Sequence, residues 1–137
     1  MTVYRGERLQ PNELQSFQKN IGGYTITNTF LSTTTDRDVA CIFAGDGSES
    51  PFIESVLLEI KVDTGVKTTK PYAPIQEYSY YETESEILFS LGTRFKIVSV
   101  TQEPIDRIWT VELLLVGNFK DNEMLTKYII FMNVTLI

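Results

Sequence analysis

Apolar and polar positions alternate through much of this chain with the two-residue period of half-buried strands, and helical spacing interrupts that alternation in a few places. Residues 2–5 form a short strand that Gly6 should end. Pro11 followed by Glu13, with Leu14 and Phe17 on one face, predicts a helix over 11–18 that Asn20 and the Gly22-Gly23 pair stop. β-rich runs at 24–26 and 29–33 predict strands. Thr35-Asp36 then caps a second helix over 37–44, and 45–51 is a loop on composition. A strong strand covers 55–62. Residues 64–81, with Pro71 and Pro74 among them, read as loop. Strands follow at 86–90 and 93–100, parted by Leu91-Gly92, and at 108–116. A short helix over 121–128 has Asp121 or Asn122 as its cap, and the apolar tail 129–137 fits either element type. No repeat, low-complexity tract or linker divides residues 1–137. The expected fold is one α+β domain of two packed, mainly antiparallel sheets with few short helices.

Composition narrows the chemistry. The chain has 137 residues, 42% apolar and 12% aromatic, enough for one packed core. A net charge of -6 argues against nucleic acid as the main partner and suits a cationic one. There is no histidine, so catalysis through a histidine base, a histidine metal ligand or a Ser-His-Asp triad is excluded. The one cysteine, Cys41, allows no internal disulfide, makes a zinc site unexpected, and reads as a packed core thiol on the second helix. No apolar stretch approaches the ~20 residues that cross a bilayer, so no membrane partner is expected. No secretory pattern opens the chain. A cytoplasmic monomer is therefore expected, with a secreted protein or an excised domain as the alternatives.

Three short motifs carry chemistry. Val3-Tyr4-Arg5-Gly6 places a forked cation beside an accessible backbone, which suits a phosphate or a carboxamide. Phe30-Leu31-Ser32-Thr33-Thr34-Thr35-Asp36 is a run of strand hydroxyls. Glu84-Ser85-Glu86 puts two carboxylates two residues apart where a polar loop enters the apolar run Ile87-Leu88-Phe89. On an extended backbone both carboxylates point to the same face. Each motif alone also reads blandly: a surface ion pair, ordinary strand threonines, a solvated acidic loop.

In this order the three motifs resemble the Arg–Ser–Glu class of mono-ADP-ribosyltransferases, in particular the arginine-specific members of animals and bacterial toxins. The likeness runs from about residue 2 to residue 116: Arg5 for the strand-borne arginine, Ser32-Thr33-Thr34 for the Ser-Thr-Ser strand, and Glu84-Ser85-Glu86-Ile87-Leu88 for Glu-x-Glu before a strand. The resemblance implies an NAD cleft between the two sheets. It implies that Arg5 holds a phosphate and the nicotinamide-side ribose, with the Gly6 backbone facing the nicotinamide amide. Ser32 would fix the catalytic glutamate, and Thr33 and Thr34 would belong to the NAD-binding strand. Phe43 would stack on nicotinamide, against the alternative of a plain core phenylalanine. Tyr81 would recognise the protein target, Glu84 would activate the acceptor arginine, and Glu86 would bind the ribose 2′-hydroxyl and stabilise the transition state. Family members usually carry helices before the arginine strand, where here only Met1 to Tyr4 precede Arg5. Many also carry a basic residue soon after the stacking aromatic, where here Ala44-Gly45-Asp46-Gly47 follows Phe43.

The implied reaction transfers ADP-ribose from NAD to an exposed arginine of a protein and releases nicotinamide, without a metal. Cleaving nicotinamide builds positive charge on the ribose, as in glycoside hydrolysis, and a fixed carboxylate stabilises that charge. The leaving group is already cationic, so no general acid is required. The guanidinium acceptor must lose a proton, which gives a second carboxylate a role. An NAD glycohydrolase and a catalytically silent NAD-binding or interaction domain are the alternative functions.

Overall fold

In a computed structural model of the chain, residues 1–62, 72–74, 86–118 and 135–137 are described. Strand β1 (Thr2–Leu9) is followed by helix α1 (Pro11–Lys19), β2 (Tyr24–Ile26), β3 (Leu31–Thr34) and helix α2 (Arg37–Ala44). Then come β4 (Glu54–Lys61), β5 (Tyr72–Pro74), β6 (Glu86–Phe89), β7 (Thr93–Gln102), β8 (Trp109–Asn118) and β9 (Thr135–Leu136). The helix expected over 121–128 lies outside the described residues. Two expectations change. Gly6 does not end β1, because eight consecutive pairs with β4, from Thr2–Lys61 to Leu9–Glu54, carry the strand through it. Part of the expected loop is strand β5, an edge strand in which proline is tolerated.

The α+β class holds. The nine described strands form one mixed sheet in the order β5-β6-β3-β1-β4-β8-β7-β2-β9. Pairing is antiparallel except for β4 with β8 and β2 with β9. The sheet curls back on itself. Phe89 of β6 and Phe95 of β7, five places apart in strand order, pack edge to face with ring centroids 5.1 Å apart. Its two halves thus enclose one core. Val3, Val56, Leu58, Ile60, Ile87 and Phe89 come from one side, Ile97, Val111, Leu113 and Leu115 from the other, and Leu14 and Phe17 from α1. The two packed sheets expected from the sequence are these halves, continuous through the β4–β8 pairing.

Helix α2 lies on the outer face of β1. Its start is set by Asp36, whose carboxylate accepts from the Asp38 and Val39 amides at 3.0 and 3.4 Å. Its buried residues are Ala40 and Ala44, both small. The reason lies in β1. A methyl group on Gly6 would run into the Ala40 carbonyl oxygen and come within 2.5 Å of the Ala44 nitrogen. Helix and strand backbones therefore touch where there is no side chain. Cys41 is only partly buried, which corrects its reading as a core thiol: the face of α2 pressed to the sheet is the alanine face.

Candidate active site

The face that α2 covers also carries the hydroxyls and the carboxylate. In the β3–β6 ladder Thr34 stands opposite Glu86 and Ser32 opposite Leu88. Thr34 also pairs with Tyr4 of β1. Facing residues of an antiparallel pair share a side of the sheet, as do residues two apart on one strand. Ser32, Thr34, Glu86, Tyr4 and Gly6 therefore share the α2 side. Together with Arg5, Ala40 and Phe43 they line a cleft of about 310 Å³. The expectation sets the cleft between two sheets. Its described lining comes from β1, β3, β6 and α2, which is one half of the sheet and the helix over it.

The cleft opens because β1 and β3 meet at a single register pair, Tyr4–Thr34. Where the ladder would continue towards Gly6 and Ser32, the Ser32 carbonyl instead accepts from Arg5 Nη1 at 2.9 Å. Arg5 Nε donates to the Glu7 carboxylate in a short ion pair. At the other end Thr34 Oγ1 accepts from the Asp36 amide at 3.0 Å, which ties the last residue of β3 to the cap of α2. Phe43 is 65% exposed and lines the cleft, so its core alternative falls and an aromatic face remains available to a ligand.

Of the residues named from sequence, Arg5, Gly6, Ser32, Thr34, Phe43 and Glu86 come together here. Thr33 does not. It points the other way along β3, is 3% exposed, and donates from Oγ1 to the Ile87 carbonyl at 2.7 Å. Strand alternation makes it a core residue and removes it from the NAD-binding set. Tyr81 and Glu84 lie outside the described residues. Three residues were not foreseen: Tyr4 and Ala40 on the cleft wall, and Glu7 on the guanidinium of Arg5. Glu7 is two positions from Arg5 on one strand, a spacing that places both on one face once β1 is known to run past Gly6. Among the described residues no group of three or more metal-binding side chains gathers, and no helix is long and apolar enough to cross a membrane.

Comparison with solved structures bears on the same arrangement. The Vis toxin, an ADP-ribosyltransferase from Vibrio splendidus, superposes with a TM-score of 0.62 at 24% identity, over 84% of this chain and 48% of that one. The ADP-ribosyltransferase HopU1 of Pseudomonas syringae gives 0.64 at 22% identity, over 84% and 45%. The C3 exoenzyme of Clostridium limosum gives 0.61 at 17% identity, over 85% and 59%. At these identities the likeness establishes the fold, and the chain spans about half the length of the first structures it matches. A search of curated proteins finds no match. The family model described as ADP-ribosyltransferase exoenzyme matches residues 1–127, nearly the whole chain and every strand and helix around the cleft, and the chain belongs to that family.

Proposed function

We propose that this chain transfers ADP-ribose from NAD to the guanidinium of a protein arginine, releasing nicotinamide. The observation that carries the reading is the convergence of Arg5, Ser32, Phe43 and Glu86, from four separate elements, on one cleft. Its volume lies at the small end of ligand sites, which suits the nicotinamide-riboside end of NAD, with the rest of the dinucleotide along the open surface. Arg5 supplies N–H donors for a phosphate or ribose oxygen. Phe43 supplies an exposed aromatic face for the nicotinamide ring.

Glu86 opens β6 opposite Thr34, so a paired strand rather than a free loop holds its carboxylate. Placed by the ribose, that carboxylate stabilises the positive charge that grows as the bond between C1′ and the nicotinamide nitrogen breaks. The bond's electrons leave with nicotinamide, which departs neutral. An acceptor guanidinium nitrogen then forms the new bond to C1′ and gives up a proton, with Glu84 as the proposed base. Arginine as the acceptor is supported by the Glu-x-Glu spacing and by the solved complex of the Vis ADP-ribosyltransferase with agmatine, itself a guanidine compound.

Labelled NAD incubated with an arginine-rich protein tests the proposal. Glu86→Gln should lower NAD cleavage by about 100-fold or more, the scale of losing a preorganised charge. Glu84→Gln should keep hydrolysis and lose transfer to arginine. A wild type that binds NAD without cleaving it would make this a silent NAD-binding domain. Undiminished arginine transfer by Glu84→Gln would remove the acceptor assignment.

A further inference from the structure

The guanidinium of Arg5 is held at two points. Its Nε–H donates to Glu7 and its Nη1 donates to the Ser32 carbonyl at 2.9 Å. The side chains of Arg5 and Glu7 keep 35% and 24% of their exposure, so the pair sits at the rim of the cleft and not in the core. A guanidinium has five N–H donors in a rigid plane. Two contacts on adjacent edges leave that plane little freedom and direct the remaining donors away from Glu7 and Ser32. A carboxylate beside a phosphate-binding arginine also weakens its pull on an anion. That cost is offset if orientation, rather than charge, limits binding, because an arginine already held loses less rotamer freedom when the ligand arrives.

We propose that Glu7 is a positioning residue that presents the free edge of the Arg5 guanidinium to NAD. This rests on the NAD-transferase reading of the cleft. Two other roles are physically distinct: a bystander ion pair, and a gate that the NAD phosphate must displace from Arg5.

The test uses the whole chain as wild type, Glu7→Gln and Glu7→Ala, with Glu49→Gln as a control that removes the same charge from an exposed pair with Arg8. Three quantities are measured: kcat and KM for NAD cleavage, the Kd for NAD by calorimetry, and proton exchange at Arg5 Nε by nitrogen-15 NMR. Glu7→Ala should raise KM and Kd about tenfold with kcat within about twofold of wild type, the pattern of lost ground-state binding. Its Arg5 Nε–H should exchange faster. Glu7→Gln keeps an acceptor oxygen at similar reach, so its rise should be smaller, about threefold. Unchanged KM and Kd in both variants would make Glu7 a bystander and overturn the proposal. A fall in both constants would make it a gate and overturn it equally. A wild type that binds NAD but does not cleave it defeats the transferase reading alone, and Kd then decides Glu7. A wild type that binds no NAD defeats both.

Discussion

Replacing Gly6 by alanine tests the seat of α2 and the cleft together. The added methyl would overlap the Ala40 carbonyl oxygen, lie 2.5 Å from the Ala44 nitrogen and 3.0 Å from the Phe43 carbonyl carbon. All three are helix backbone atoms, so no side-chain rotation relieves the clash. Restoring ordinary contact requires α2 to retreat by more than about 1 Å. Overpacking of this kind costs about 1–3 kcal/mol, against a gain of about 0.4–1 kcal/mol that alanine otherwise brings by restricting the unfolded chain. The net loss, up to about 2.5 kcal/mol, lowers Tm by up to roughly 10 °C for a chain of this size. Phe43 moves with the helix, and a misplacement of about 1 Å at a reacting site costs on the order of 100-fold in rate. Thermal melting by circular dichroism and NAD cleavage would be measured beside Gly22→Ala. Gly22 has φ of 87° and nothing within 4 Å of an added methyl, so that change carries only the left-handed backbone cost of about 1–2 kcal/mol and should leave NAD cleavage intact. If Gly6→Ala melts with the wild type and cleaves NAD at the same rate, α2 does not rest on Gly6 and the cleft is not shaped by that contact.

Two further outcomes are expected. Asp36→Ala removes the acceptor for the Asp38 and Val39 amides and should cost about 1 kcal/mol in chemical denaturation, with Asp36→Asn recovering most of it. The Lys61–Glu112 pair, 2.6 Å apart across β4 and β8, sets a pH window. The hydrogen bond from Lys61 holds the Glu112 carboxyl below its ordinary 4.5, and the same bond holds Lys61 above 10.5. A lowered acid contributes stability above its unfolded value and loses it as pH falls through the folded value; a raised base contributes below its unfolded value and loses it as pH rises. The difference in Tm between wild type and Glu112→Gln should therefore be flat from above 4.5 to below 10.5 and shrink outside those limits. It should also shrink with added salt, because Lys61 is half exposed. A difference that grows on acidification would exclude this pair as its source.

How much of this was legible in the sequence depended on whether a feature is local. The start of helix α2 is legible from the Thr35-Asp36 cap and its end from the loop composition of residues 45–51, because both signals need only neighbours in the chain. The length of β1 was misjudged for the opposite reason. Glycine weakens a strand locally, but the ladder to β4 and the helix above Gly6 are contacts with residues 34 to 59 positions away in sequence, and they outweigh that local preference. Strand β5 was hidden by Pro71 and Pro74, which forbid a central strand and allow an edge.

The same division runs through the cleft. The family resemblance carried by the three motifs in their order brought out Arg5, Ser32 and Glu86, because the order of short motifs is visible without any knowledge of strand pairing. They could not say which hydroxyl of Ser32-Thr33-Thr34 turns inward, since register decides the face and a shift of one residue reverses it. The pairs Tyr4–Thr34 and Thr34–Glu86 settle that Ser32 and Thr34 face the cleft and Thr33 the core. Register also explains why Glu7 escaped notice. A strand ending at Gly6 leaves Glu7 in a turn with no defined face, whereas a strand running to Leu9 puts it beside Arg5. The arginine is therefore held from both directions of its own ladder: by Ser32 across the gap where β3 diverges, and by Glu7 along β1 where the strand was expected to stop.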